Sequence, residues 1–128
     1  MSGLSNWKIL VIEDEKDSMD VLIEILGFYN IQAFPAYNAE EALGFLQHTV
    51  PTLIICDLAL PAMDGWGLLK EIRGNAETAH VPVIAVTAFH SATVAQEAIE
   101  AGFDAYFPKP IESTSFVREL ERVVAQEV

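Results

Sequence analysis

The 128-residue sequence predicts a doubly wound α/β domain, with five parallel strands in the order 2-1-3-4-5 and helices on both faces. Three observations predict it. Strand-like apolar runs alternate with segments of helical periodicity along the whole chain. The first, third and fourth runs are continuously apolar, as strands buried on both faces of a sheet must be. Those same three runs end in polar residues: Glu13-Asp14, Asp57 and Thr87.

The first strand is Trp7-Lys8-Ile9-Leu10-Val11-Ile12. Lys16 to about Phe28 then carries Met19, Leu22, Ile23 and Leu26 at helical spacing, with Asp17, Asp20 and Glu24 on other faces. Ile31-Gln32-Ala33-Phe34 makes a weaker second strand broken by Pro35, and proline's missing N–H places it at an edge. Asn38, with Glu41 three residues on, marks the capped start of a second helix that runs to about Gln47. The third strand, Thr52-Leu53-Ile54-Ile55-Cys56, stops at Asp57, and Leu58 to Gly65 is loop by its Pro61 and Asp64-Gly65. A third helix takes Leu68, Leu69 and Ile72 to the core and ends at Gly74. Pro82 opens the fourth strand, and Ala92 to Ala101 forms an alanine-rich, thin fourth helix closed by Gly102. Ala105-Tyr106-Phe107 is a short fifth strand, and Phe116, Val117, Leu120, Val123 and Val124 line one face of a terminal helix.

Strict alternation implies right-handed crossovers. Short or proline-broken second and fifth strands belong at the edges, which gives the flavodoxin-like order, with its switch point between strands one and three. Glu13, Asp14 and Asp57 meet there, at the carboxyl edge where open α/β sheets bind ligands.

Length sets the expectation of one domain over residues 1–128, with its core at about 8–124 and no repeat or linker. A 52% hydrophobic fraction and mean hydropathy of +0.29 exclude a disordered chain, while charged residues cut every apolar stretch short of a membrane span. The first residues lack the pattern of a signal peptide, and a single cysteine, Cys56, forms no internal disulfide, so a reducing, cytoplasmic setting is expected. Cys56 itself reads as an inert core thiol. With 19 acids against 7 Lys plus Arg the net charge is −12, which opposes binding to phosphate backbones; direct nucleic-acid binding is not expected. His48, His80 and His90 are scattered and have no metal-ligand spacing.

Three carboxylates in one crevice repel, and a hard divalent cation is the natural compensation. Their spacing leaves magnesium, calcium and manganese open, while the lack of Cys or His in the set argues against zinc. Asp57, alone at its strand end, is the candidate nucleophile for an acyl phosphate. Phosphoryl transfer calls for a lysine and a hydroxyl besides the metal, and Thr87 and Lys109 supply both at the same edge.

Nearly the whole chain, from about Lys8 to Val124, resembles the receiver domain of bacterial response regulators. The resemblance rests on Glu13-Asp14, on Asp57-Leu58-Ala59-Leu60-Pro61-Ala62-Met63-Asp64-Gly65, on Thr87-Ala88 and on Lys109-Pro110, in family order. It implies that Asp57 accepts a phosphoryl group from a histidine kinase or histidine phosphotransfer protein. Magnesium would be held by Glu13 through a water, Asp14, Asp57 and the backbone carbonyl of Ala59. Thr87 and Lys109 would bind the phosphoryl oxygens, with Tyr106 as an aromatic switch and Lys109-Pro110 a cis bond. The face formed by the fourth helix, fifth strand and fifth helix would then bind a downstream protein target. Such a domain is no dedicated enzyme, though it catalyses its own aspartyl phosphorylation and dephosphorylation. Ala59 and Phe89 stand at positions the family varies, and no output domain follows, so a stand-alone regulator or carrier is expected.

Three rivals share parts of this pattern. A haloacid-dehalogenase-type phosphatase needs a second Asp where Ala59 stands, and a flavodoxin needs a phosphate cradle where Glu13-Asp14-Glu15 stands. A receiver fold that docks partners without being phosphorylated is the remaining alternative.

Overall fold

The computed structural model describes residues 4–126. After a 3-10 turn at Leu4–Asn6, the elements run β1 Lys8–Ile12, α1 Lys16–Phe28, β2 Gln32–Ala36, α2 Ala39–Leu46 and β3 Leu53–Asp57. They continue with α3 Gly65–Gly74, β4 Val83–Thr87, α4 Ala92–Ala101, β5 Ala105–Pro108 and α5 Ser113–Gln126. All neighbouring strands pair in parallel, in the order β2-β1-β3-β4-β5, as the alternation predicts.

The sheet separates two apolar layers. On one side Leu10, Ile12, Ile54, Val83 and Ala85 meet Ala39, Ala42 and Leu46 of α2, Leu68, Leu69 and Ile72 of α3, and Ala98 of α4. On the other, Ile9, Val11, Ile55, Ile84 and Val86 meet Met19, Leu22 and Leu26 of α1 and Phe116, Val117, Leu120 and Val123 of α5. Every residue of β3 and β4 is buried, which is why those stretches show no polar alternation.

Three helix starts follow from local chemistry. Asn38 accepts the Glu41 N–H at 2.8 Å, Asp64 that of Gly67 at 2.9 Å, and Ser91 that of Val94 at 3.0 Å. Helix α4 stops where Gly102 adopts φ +116°, a conformation that costs glycine nothing, and the Phe103 N–H returns to the Ala98 carbonyl at 3.1 Å. Ala98 is the buried residue of α4, so this helix is thinly anchored, as its composition predicts.

One element differs from expectation. Pro35 lies inside β2, opposite Val11, and does not break it. Ala36 turns its carbonyl toward β1, where it accepts from the Glu13 N–H at 3.0 Å, so the alternating residue Pro35 faces the open edge and no ladder bond is lost.

A tie unforeseen in the sequence braces the end of the sheet opposite Asp57. The Arg73 guanidinium at the end of α3 donates to the carbonyls of Ala79 at 3.1 Å, Val81 at 2.6 Å and Gly102 at 3.0 Å, and to the Asp104 carboxylate at 2.9 Å. The same carboxylate oxygen accepts the Val83 N–H at 2.8 Å, so one ion pair joins α3, the start of β4 and the end of α4. Both side chains are largely covered, whereas the Lys16–Asp20 pair on α1 is open to water. Asp104→Ala removes the counter-charge of a guanidinium left on three carbonyls and strands the Val83 N–H, and is expected to cost about 1–3 kcal/mol. Asp20→Ala is expected to cost under about 0.5 kcal/mol. Urea unfolding of both variants checks the contrast.

Candidate functional site

Pairing places Ile12 opposite Cys56, so the next residues, Glu13 and Asp57, leave the sheet side by side. Both are buried, Glu13 at 1% and Asp57 at 5% exposure. Asp14 is exposed, yet its carboxylate falls with those of Glu13 and Asp57 in a group whose oxygens lie within 4.8 Å of one another. The predicted acidic cluster therefore exists in space.

Lys109 offsets part of its charge. Its Nζ donates to Glu13 Oε1 at 2.5 Å and to Asp57 Oδ2 at 2.9 Å, and lies 3.3 Å from the Ser18 hydroxyl. Its backbone N–H bonds the Thr87 carbonyl at 2.9 Å, and the Lys109–Pro110 peptide is cis, as expected. The remaining acceptors are served from nearby backbone. Asp57 Oδ1 takes the Ala59 N–H at 2.9 Å, and Glu13 Oε2 takes the Glu15 N–H at 3.1 Å.

Burial dominates the electrostatics of Glu13. It pushes the carboxyl up to about 7, against the opposing pull of the Lys109 hydrogen bond. Burial alone would lower Lys109, but its bonds to Glu13 and Asp57 outweigh that and hold the ammonium charged, above its ordinary value. Burial also raises the Cys56 thiol, consistent with an inert core residue.

Thr87, at the end of β4, is 2% exposed, and its Oγ accepts the Phe89 N–H at 3.1 Å. Tyr106 stands apart from the carboxylates. It lies on β5 opposite Ala85, half-buried, with its hydroxyl 2.9 Å from His90 Nδ1. Ala59 is exposed in the loop after Asp57. That loop passes so close to α3 that a Cβ on Gly65 would sit 2.6 Å from the Asp57 carbonyl oxygen and 2.8 Å from Leu58 Cα. Turn chemistry marks Gly65 in the sequence; the need for a missing side chain there is visible only in three dimensions.

Ser18 and His90 also escaped the sequence reading. Ser18 lies in the first turns of α1, with its hydroxyl 2.9 Å from Glu15 Oε1, and a lone serine among acids carries no signal. Beside it an apolar groove of Val21, Leu22, Pro110 and Ile111 opens, rimmed by Asp17, Ser18 and Lys109.

Carboxylate oxygens in this number suit a hard divalent cation. The Lys109 ammonium, the buried Thr87 hydroxyl at the end of the neighbouring strand and an apolar groove lie at the same sheet edge. The family model for the response regulator receiver domain matches residues 9–121. The chain belongs to that family.

Receiver domains act in two-component systems, and relatives of several architectures match this one. An uncharacterised 14.6 kDa protein from the sodA1 3′ region of Leptolyngbya boryana is 33% identical over 122 residues, covering 95% of this chain and 93% of that protein. Histidine kinase P4 of Formosa agariphila is 32% identical over 116 residues, covering 91% of this chain but 8% of the kinase. A solved structure of a putative response regulator from Chloroflexus aurantiacus superposes with a TM-score of 0.88 at 28% identity, covering 93% of this receiver and 98% of that chain. Among the described residues of this receiver, no helix is long and apolar enough to cross a membrane.

Glu13 makes the stability of the metal-free protein depend on pH. Its carboxyl sits at about 7 in the fold against an ordinary 4.5, so the folded state holds the proton more tightly. The stabilisation is fully present below 4.5 and is lost as pH rises through about 7. Urea unfolding in chelator is expected to show a loss on the order of 3 kcal/mol across that window, flattened in Glu13→Gln.

Proposed function

We propose that Asp57 is a phosphoacceptor. The observation that carries this reading is the Lys109 ammonium bonded to Asp57 within a cluster of three carboxylates, with the Thr87 hydroxyl at the end of the adjacent strand. An Asp57 oxygen attacks the phosphorus of a phosphohistidine. The P–N bond breaks as the P–O bond forms, and the histidine nitrogen leaves with the electron pair. Glu13, Asp14, Asp57 and the Ala59 carbonyl would hold a magnesium ion, which supplies positive charge to the transferring phosphoryl oxygens. Lys109 moves its N–H from Asp57 Oδ2 to one of those oxygens, and Thr87 turns its hydroxyl from the Phe89 N–H to another. Water later attacks the acyl phosphate in the same charged setting and returns inorganic phosphate and free Asp57.

The donor is a histidine kinase or histidine phosphotransfer protein. The apolar groove of Val21, Leu22, Pro110 and Ile111 adjoins Lys109 and fits a helical donor carrying the phosphohistidine. The signal leaves through α4, β5 and α5, where exposed Ile99 adjoins Ala95, Tyr106, Ser115, Glu119 and Arg122. A cytoplasmic setting fits both partners, and no direct contact with nucleic acid or membrane is proposed.

Acetyl phosphate with magnesium, followed by intact-mass measurement, is the test. One phosphoryl group is expected on the wild type and on Thr87→Ala, and none on Asp57→Asn or in excess chelator. Lys109→Ala is expected to slow uptake by about tenfold or more, a loss of about 1.4 kcal/mol or more of transition-state stabilisation. An unlabelled wild type would make the protein a docking module instead.

A further inference from the structure

We infer that His90 is a latch on Tyr106, holding the switch aromatic in its resting place and setting the threshold for the response. This deepens the phosphoacceptor reading and rests on it for the response. Tyr106 packs its ring on the apolar layer beneath α4 while its hydroxyl meets His90 Nδ1 at 2.9 Å, with the two ring centroids 5.5 Å apart and tilted by 38°. His90 is exposed, so a packing demand does not explain this contact.

The latch sits on the segment that Thr87 controls. Residues 88 to 91 leave the buried end of β4, and all four are exposed. Side chains hold this stretch at three places: Thr87 Oγ on the Phe89 N–H, His90 on Tyr106, and Ser91 on the Val94 N–H at the start of α4. When the Thr87 hydroxyl turns to a phosphoryl oxygen it releases the Phe89 N–H, one residue before His90. The Tyr106 hydroxyl, held by His90 and by the Ser91 N–H, then ties this loop to β5, and its His90 bond must break before the ring can turn inward. A bond made in the resting state alone weakens any ligand that selects the other state, by the factor with which it favours rest.

His90→Phe keeps an aromatic ring but removes the bond, as Tyr106→Phe does from the other side. The first measurement needs no ligand. Rotamer populations of the Tyr106 ring, from side-chain NMR couplings, are expected to spread in His90→Phe; an unchanged distribution overturns the latch whatever phosphorylation does. The second is titration with beryllofluoride and magnesium, followed through the amides of Ala59 and of α4. Each single variant is expected to bind about two- to tenfold more tightly than wild type, and the double variant no more tightly than the stronger single. Additive gains, or none, overturn the inference. Wild type that fails to bind beryllofluoride overturns the phosphoacceptor reading and, with it, the threshold role, while the rotamer result alone decides the latch.

Discussion

Like charges forced together at one sheet edge are the constraint on which this structure turns. Parallel pairing sets the ends of β1 and β3 side by side, so Glu13 and Asp57 emerge as neighbours in a nearly dry crevice. They cannot both stay charged without a cation. Lys109 reaches them from beyond β5, at the far side of β4 from Asp57, and touches both. In this strand order the lysine comes within reach of both carboxylates, so the ion pairs and the topology support each other.

Such an edge is unfavourable in isolation, and the sheet behind it supplies the opposing free energy. Leaving a buried ion unpaired costs several kcal/mol, whereas fully burying one Ile, Leu or Val side chain contributes about 1.5–3 kcal/mol. Several apolar side chains must therefore stand behind each carboxylate. Leu53, Ile54 and Ile55 precede Asp57, and Ile9, Leu10, Val11 and Ile12 precede Glu13, all with no exposed surface. The sequence pattern of an apolar run ending in an acid is this balance written linearly.

What was legible followed from periodicity and from residues whose chemistry is rare at their place. Continuous apolar runs identified the central strands, and Gly102 identified the end of α4, because only one local conformation serves each. The acidic cluster was legible because acids at strand ends have few structural reasons to be there. Pro35 misled because its effect depends on which side of β2 is unpaired, a fact of the sheet and not of the segment. The Arg73–Asp104 and His90–Tyr106 contacts were invisible for a related reason. Each pair joins segments far apart in the chain, 31 and 16 residues respectively, and Arg73, Asp104 and His90 alone look like ordinary surface residues.

The packing also decides where a change at Asp57 can travel. Strand β4 is buried through Thr87, and on β5 Phe107 lies edge-on against Phe116 with centroids 4.8 Å apart, so the sheet and the α5 side resist displacement. The base of α4 is fixed as well, since the Gly102 carbonyl is bonded to Arg73. Its upper end is different: Ala88 to Ser91 are exposed, and the helix beyond contributes Ala98 alone to the buried core. The displacement proposed to begin at the Thr87 hydroxyl would therefore meet least resistance through the loop and the first turns of α4, with the clamped base as pivot. On the proposed reading, the same small side chains that anchor α4 thinly make it the element that would move most cheaply in a reversible signal.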